Sequence, residues 1–258
     1  MPGAIQSARR TSVYAVDKEP IAAAIAAQLY QGAHIQASPL EDAVLPEDYF
    51  DLHISNVPFG KIQIFDPAFV SMDKALMTRS IHNYYFGKAL DDGRPGGLVV
   101  FVTSRYTMDA QNDSVRRYIA ARADFVGALR LPNQAFLKTA GTEVVTDILV
   151  FQKHDPNAPQ RRDRIRPEQW QTVVAREELG KYFDPYEEKE TVVHTNQYFV
   201  DHPEMVLGKE ARTGKMNQRS HTYNVEGAVT PAQLTSAIAS FPEGIYKASK
   251  APPRKIAT

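Results

Sequence analysis

The sequence predicts an α/β fold whose sheet is mostly parallel, with an antiparallel pair of strands at one edge. Up to about residue 153, short apolar runs alternate with helical stretches, as in parallel strands connected by helices. The last two apolar runs are separated by a loop without a clear helix, which favours an antiparallel pair. The 258 residues are enough to bury one sizeable core.

The first predicted elements are a strand, a helix and two further strands. Residues 11–17 (TSVYAVD) are rich in β-forming residues and end on an acid. Residues 20–30 (PIAAAIAAQLY) place a proline in the first turn of an Ala/Ile/Leu helix. Residues 33–37 (AHIQA) predict a short strand, and residues 49–55 (YFDLHIS) predict another that runs directly into Asn56.

The next elements continue this alternation. Residues 79–90 carry apolar and aromatic side chains at helical spacing. Residues 98–103 (LVVFVT) are typical of a strand buried on both faces. A polar-faced helix is predicted over 108–122, and strands are predicted over 125–131 and 144–152.

The character of the sequence then changes. Residues 154–166 are polar, proline-containing and basic, as in a linker or a surface loop. One further helix is predicted over 231–240. We therefore predict a domain over 1–153, a small C-terminal extension over 154–248 and a disordered tail over 249–258.

Composition narrows the classes of function. The 30 basic and 30 acidic side chains cancel, so we expect no attraction of the whole chain to nucleic acid, although a local basic face is compatible with this balance. The absence of cysteine excludes thiolate ligands, and the seven histidines form no zinc-binding pair, so no metal site is predicted. No apolar run approaches the ~20 residues that cross a membrane, and no secretory signal is recognisable, so a soluble cytoplasmic protein is expected.

The most informative segment is Asn56-Val57-Pro58-Phe59, at the carboxyl end of a predicted parallel strand, where open α/β sheets bind their ligands. The Asn56 oxygen and the next backbone carbonyl can each accept an N–H of an exocyclic amine, which makes that nitrogen more nucleophilic. Pro58 restricts the residue before it to an extended conformation and so fixes the direction of the carbonyl. An aromatic ring can stack on a base swung out of a duplex. The same tetrapeptide also fits an asparagine turn followed by a core phenylalanine.

This region resembles the amino-type DNA methyltransferases, whose motif is [DNS]-P-P-[FYW], with valine here in place of the first proline. It is most similar to the adenine methyltransferase modules of very large helicase–methylase proteins of plasmids and phages. The resemblance rests on DLHISNVPFG, HNYYFGKALDDGRPGGLVVFVTSRYTMD, FVGALRLPNQAF and GTEVVTDILVFQK, and extends more loosely through NQYFVDHPEMVLG. It implies a Rossmann-like methyltransferase sheet, S-adenosylmethionine as methyl donor and DNA as partner.

The resemblance also implies catalytic roles in the tetrapeptide. Asn56 and the carbonyl of Val57 would accept the adenine amine, Pro58 would hold the turn, and Phe59 would stack on the base. The departure at Val57 leaves its role intact, because that role needs a backbone carbonyl and not a particular side chain.

Three further residues receive roles from the resemblance. Asp17 matches the acidic position that holds the ribose hydroxyls of the donor, although it also fits a charge at the N-terminus of the helix that follows. Leu40 lies where the family places a contact to the adenine of the donor. Phe136 would lie against the target base or DNA, or else anchor its loop.

The resembling enzymes hold the donor with a glycine-rich loop, [DE]-P-x-x-G-x-G, after a central first strand. That loop would precede residues aligned with MPGAIQSARR, so we expect both strand and loop to be missing from this sequence. Another chain is one source of the missing parts, and donor binding by this chain alone is expected to be weak or absent. Catalysis by this chain alone is therefore left open.

Two alternatives to adenine methylation in DNA also follow. NPPF-type motifs serve methyltransferases that act on an RNA base or on a glutamine side chain. A non-catalytic DNA-binding or assembly module derived from a methyltransferase is an alternative of a different class.

Overall fold

The computed structural model describes residues 11–136, 144–158, 164–184, 189–212, 215–216, 220–221 and 223–247. The strands are β1 (Tyr14–Asp17), β2 (His34–Ala37), β3 (Phe50–Asn56), β4 (Gly93–Ser104), β5 (Ala123–Leu131), β6 (Thr146–Lys153), β7 (Val173–Ala175), β8 (Lys181–Asp184), β9 (Lys189–Val192), β10 (His194–Asn196), β11 (Lys209–Ala211), β12 (Lys215–Met216), β13 (Ser220–His221) and β14 (Asn224–Glu226). The α-helices are α1 (Pro20–Leu29), α2 (Ile81–Asp92), α3 (Tyr106–Asp109), α4 (Ser114–Ala120), α5 (Pro167–Gln171), α6 (Gln197–Asp201) and α7 (Pro231–Ala239).

A four-stranded mixed sheet with the order β3-β4-β6-β5 forms the centre of the fold. β3 runs parallel to β4, whereas β6 is antiparallel to both β4 and β5. The predicted antiparallel pair, β5 with β6, is confirmed. The prediction of a mostly parallel sheet needs correction, because β6 lies between β4 and β5 and a single reversed strand makes two antiparallel ladders.

The β1–α1–β2 unit stands beside this sheet. β1 and β2 pair in parallel from Tyr14 with His34 to Asp17 with Ala37. Within the described ranges, this pair forms its own two-stranded sheet. It contacts the central sheet through the Tyr14 ring, whose centroid lies 5.2 Å from that of Phe50 and 5.8 Å from that of Tyr49.

One hydrophobic core joins the central sheet to the C-terminal extension. Trp170, Tyr198 and Phe199 pack with side chains of α2, β4, β5 and β6. The Trp170 ring stacks on Phe125 with a centroid distance of 5.0 Å. Burying an aromatic side chain of this kind contributes roughly 1.5–3 kcal/mol. The boundary at residue 153 stays a prediction, and the core extends across it.

The helix predicted over 108–122 is interrupted. The structure has α3 and α4 instead, separated by residues 110–113. The side chain of Asn112 accepts the backbone N–H of Ser114 at 2.9 Å. Asparagine side chains compete in this way with helical backbone hydrogen bonds, so the helix starts afresh at Ser114.

The last described segment, residues 240–247, returns to the sheet. The amide nitrogen of Gln152 donates to the carbonyl of Ile245 at 2.8 Å. The guanidinium of Arg94 donates to the carbonyl of Lys247 at 2.7 Å. The tail predicted over 249–258 lies outside the described residues. None of the helices described is long and apolar enough to cross a membrane.

Candidate functional site

The candidate site lies at the carboxyl edge of the strands. Tyr14 and Phe50 are the first residues of β1 and β3 and contact each other, so the amino ends of the two parallel pairs lie together. Asp17 ends β1 and Asn56 ends β3. Each residue therefore lies at the carboxyl end of a parallel strand, which is where parallel sheets bind ligands.

Asn56 presents its side chain to solvent. Within the described part of the chain, no hydrogen bond occupies the amide of Asn56. The next residue, Val57, is 1% exposed and packs in the core. Its backbone N–H donates to the carbonyl of Val102 in β4 at 3.0 Å. The rigid backbone of Val57 is therefore joined to the accessible amide of Asn56.

Phe59 is 36% exposed and contributes no side chain to the core. The interpretation of this residue as a core phenylalanine is therefore wrong. Gly60 follows with φ 145°, a left-handed backbone conformation that favours glycine. His82, near the start of α2, lies against the Gly60 backbone, and burial lowers the pKa of its imidazole, so the ring is neutral around pH 7. A neutral, buried ring supports the loop that carries Phe59.

Asp17 is exposed, and one of its carboxylate oxygens accepts the backbone N–H of Glu19 at 2.9 Å. This contact lies just before α1, as the helix-terminus interpretation expects. Leu40 is half-buried and packs against the main core. Burial raises the pKa of the Tyr85 hydroxyl in α2, and the nearby carboxylates of Glu41 and Asp17 raise it further. Donor binding by Asp17 and Leu40 stays a prediction.

Phe136 is half-buried at the end of a described loop after β5. The loop is fixed at Asn133, whose backbone N–H donates to the carbonyl of Val225 in β14 at 2.9 Å. The C-terminal extension therefore holds the start of this loop. The role of Phe136 toward a base or DNA stays a prediction.

Tyr106 is an exposed aromatic residue that the sequence analysis overlooked. It is 56% exposed and directly follows Arg105, whose guanidinium lies 4.5 Å from the centre of the tyrosine ring. Tyr106 follows β4 at the same carboxyl edge as Asn56, because Asn56 pairs with Val102 across β3 and β4. The rule that singled out Asn56, a polar or aromatic residue just after a buried strand, also applies to Tyr106.

A buried ion cluster lies near the same edge, and the sequence analysis missed it too. The guanidinium of Arg130 donates to both carboxylate oxygens of Asp147 at 2.8 Å and to Asp109 at 2.9 Å. All three side chains are fully buried. The sequence shows one charged residue within each of two apolar strands. That these two residues pair follows only from the strand register, which places Arg130 opposite Asp147.

The cluster also connects the sheet to the C-terminal extension. Asp109 accepts the backbone N–H of Asn196 at 2.9 Å. Burial alone would raise the pKa of Asp109, but Arg130 and Arg105 outweigh it and hold this pKa below its usual value. Asp109 is therefore ionised at neutral pH and fixes α3, which begins at Tyr106, against the core.

The alternating strands and helices define the chain as an α/β protein. The exposed polar side chains at the ends of its parallel strands give it a candidate ligand site at the carboxyl edge. No family model matches the chain. It is 26% identical over 161 residues to the "Defense against restriction protein B" of Escherichia phage P1. This match covers 58% of the chain, which spans 7% of the length of that relative.

Solved structures give a weaker likeness. The methyltransferase subunit of a type I restriction-modification system from Streptococcus thermophilus is 12% identical, with a TM-score of 0.41 over 57% of this chain and 40% of its own. The M protein of the type I restriction enzyme EcoKI is 16% identical, with a TM-score of 0.43 over 58% of this chain and 32% of its own. At these values the likeness assigns no activity.

Proposed function

We propose that the chain is a methyltransferase module that presents the exocyclic amine of adenine in DNA to S-adenosylmethionine. The observation that carries this proposal is the Asn56 amide, which is exposed and joined to the rigid backbone of Val57. An amide oxygen and a fixed carbonyl suit the two N–H groups of an amine. The name of the phage relative, defence against restriction, is consistent with a role on DNA.

Each residue of the site has its own role in this proposal. The Asn56 oxygen and the Val57 carbonyl accept the two amine protons and direct the nitrogen lone pair away from the ring. Phe59 stacks on the base, which must leave the duplex for this chemistry. Asp17 holds the donor ribose, and Leu40 lies against the donor adenine. Bound S-adenosylmethionine supplies an electrophilic methyl group, and the methylated nitrogen then loses one proton to solvent.

The test is methyl incorporation from radiolabelled S-adenosylmethionine into unmethylated DNA. Asn56→Ala should reduce incorporation by roughly 100-fold or more, as for other groups that stabilise developing charge. Asn157→Ala is the matched control, because Asn157 is an exposed asparagine in a loop after β6. Retained activity in Asn56→Ala would contradict the proposal. Parallel assays with RNA and with a glutamine-containing protein distinguish the other methyl acceptors.

A non-catalytic DNA-binding or assembly module is the second candidate. Two observations on the donor side favour this candidate. In the described structure β1 shares no ladder with β3, and one carboxylate oxygen of Asp17 already accepts the backbone N–H of Glu19. DNA binding that survives Asn56→Ala, with no donor binding detected by calorimetry, would support this candidate. Loss of donor binding in Asp17→Ala would instead support the enzyme.

A further inference from the structure

β4 has an arginine stacked on a tyrosine at each of its ends. At the amino end, the guanidinium of Arg94 lies 5.3 Å from the centre of the Tyr246 ring. At the carboxyl end, the guanidinium of Arg105, which directly follows β4, lies 4.5 Å from the centre of the Tyr106 ring. Both tyrosines are exposed, Tyr246 by 42% and Tyr106 by 56%. The two stacks are alike in composition and differ in what else each tyrosine contacts.

The stack at the amino end has a structural role. The hydroxyl of Tyr246 donates to the carboxylate of Asp51 at 3.0 Å. Arg94 pairs with the same carboxylate and also donates to the carbonyl of Lys247. Together these contacts fasten the last described segment of the chain to the first residues of β3 and β4. The position of Tyr246 is therefore explained without a ligand.

The stack at the carboxyl end has no comparable role. In the part of the chain that the structure describes, the Tyr106 side chain hydrogen-bonds to Arg105 alone, at 3.5 Å. Arg105 is itself fixed, because it pairs with Asp109 at 2.9 Å and lies 5.2 Å from the centre of the buried Tyr223 ring. The guanidinium covers one face of Tyr106, so the exposed area of the ring lies on its other face and its edge. An aromatic surface is thus held in place and left open.

A flat ring with one open face suits a second flat ring. Every nucleobase has such a face, and its stacking on an aromatic side chain depends little on sequence. A cation is another common ligand of a tyrosine face, but Arg105 already supplies a positive charge to this ring. Tyr106 also follows the strand that pairs with β3, so it lies at the carboxyl edge where Asn56 ends β3.

We propose that the open face of Tyr106 stacks on a nucleobase of bound DNA, with Arg105 as the residue that positions the ring. The choice of DNA as ligand rests on the proposed function, but the stacking itself requires no methyl transfer. Tyr106 gives the carboxyl edge a second stacking surface besides Phe59. Such a surface holds DNA by its bases, whereas most protein contacts to DNA are to its phosphates and sugars.

Binding of the full chain to two oligonucleotides tests the proposal. One is an adenine-rich single strand of DNA labelled with fluorescein. The other has the same length and label but carries abasic sites in place of its bases. Both strands present the same phosphates, so the ratio of their dissociation constants, measured by fluorescence anisotropy without S-adenosylmethionine, reports contacts to bases. We expect the chain to prefer the strand with bases by about tenfold or more.

Variants of the two tyrosines isolate the stacking surface. Tyr106→Ala should reduce the preference by about tenfold and leave the affinity for the abasic strand unchanged, because only stacking is lost. Tyr106→Leu, which is apolar but not flat, should behave in the same way, whereas Tyr106→Phe should keep the preference. Tyr246→Ala is the matched control: it removes the exposed tyrosine at the opposite end of β4, so the preference should persist.

Several results would overturn the proposal. The first is that the wild-type chain binds neither strand or binds both equally. The second is that Tyr106→Ala keeps the wild-type preference, or that Tyr246→Ala loses as much of it. Weaker S-adenosylmethionine binding by Tyr106→Ala in calorimetry, with the DNA preference intact, would assign the ring to the donor adenine instead. Failure of the proposed function is distinguishable, because it appears as methyl incorporation that survives Asn56→Ala.

Discussion

The central sheet and the β1–α1–β2 unit differ in how completely they are buried. β4 and β6 have neighbours on both sides, and their apolar side chains meet those of α2 and the C-terminal extension. α1, in contrast, has one buried residue, Ala23. Stability therefore resides in the sheet and the extension, while the unit that carries Asp17 is only partly covered. The acceptor side of the proposed site is built on the rigid region, and Asp17 of the donor side is built on the exposed one.

The largest expected effect comes from the buried ion cluster. Arg130→Ala should lower the free energy of unfolding by about 3–5 kcal/mol, because Asp147 would lose its buried partner and Asp109 would keep only Arg105. Urea denaturation followed by circular dichroism measures this loss. Arg117→Ala is the matched control: its ion pair with Asp113 is exposed, so about 0.5 kcal/mol or less is expected. Similar losses in both variants would contradict the assignment of the cluster to the rigid region.

The next effect concerns the apolar core of the same region. Leu149 in β6 is fully buried between two ladders. Leu149→Ala should cost about 3 kcal/mol through lost burial and the cavity left behind. The same denaturation experiment measures the change in the free energy of unfolding. A loss below about 1 kcal/mol would show that the sheet packs less tightly around Leu149 than its full burial implies.

Asp92, the last residue of α2, makes the stability of the protein depend on pH. Burial raises the pKa of Asp92 to about 7 from 3.8. Between these values the folded chain keeps a proton that the unfolded chain loses, so the contribution of Asp92 to stability falls as the pH rises through this range. Asp92→Asn should therefore stabilise the protein by up to about 4 kcal/mol near pH 8 and by much less near pH 4.

The control for this pH effect is the preceding residue. Asp91 accepts a hydrogen bond from the ammonium group of Lys74 at 2.7 Å. Asp91→Asn should therefore weaken the protein slightly near pH 8, opposite in sign to Asp92→Asn. A gain from Asp92→Asn that is equal near pH 4 and pH 8 would exclude titration of Asp92 as the cause.

The smallest expected effect lies in the exposed region. Ile25 is 56% exposed and alanine is the best helix former, so Ile25→Ala should change the free energy of unfolding by about 0.5 kcal/mol or less. Thermal unfolding of the isolated chain tests this. A loss above about 1 kcal/mol would mean that α1 is covered in solution, and the contrast between the two regions would disappear.

Local patterns predicted the strands up to residue 153 and none of β7–β14 in the C-terminal extension. β1, β2, β3, β5 and β6 lie within a few residues of their predicted positions, because buried strands have apolar β-branched runs that few other elements share. β4 begins earlier than predicted. The glycine-rich run 93–97 reads as a turn, but Gly93 pairs with Phe50 and an irregularity follows in the ladder.

The site was predictable only in part. The position of Asn56 follows from a single strand and its end, which is local information. Tyr106 required the same rule to be applied to β4, and the pairing of Arg130 with Asp147 required the strand register. Charges that meet across strands are invisible to any local window, because their spacing in sequence is set by the loop that separates them.

The stacking of Trp170 on Phe125 gives the chain an intrinsic optical reporter. Trp170 is the single tryptophan of the sequence, and its indole is enclosed between the sheet and the extension. Its fluorescence therefore comes from one known environment, beside Phe125 and Phe151. A red shift in emission would report that the extension has separated from β5, even while the sheet itself stays intact.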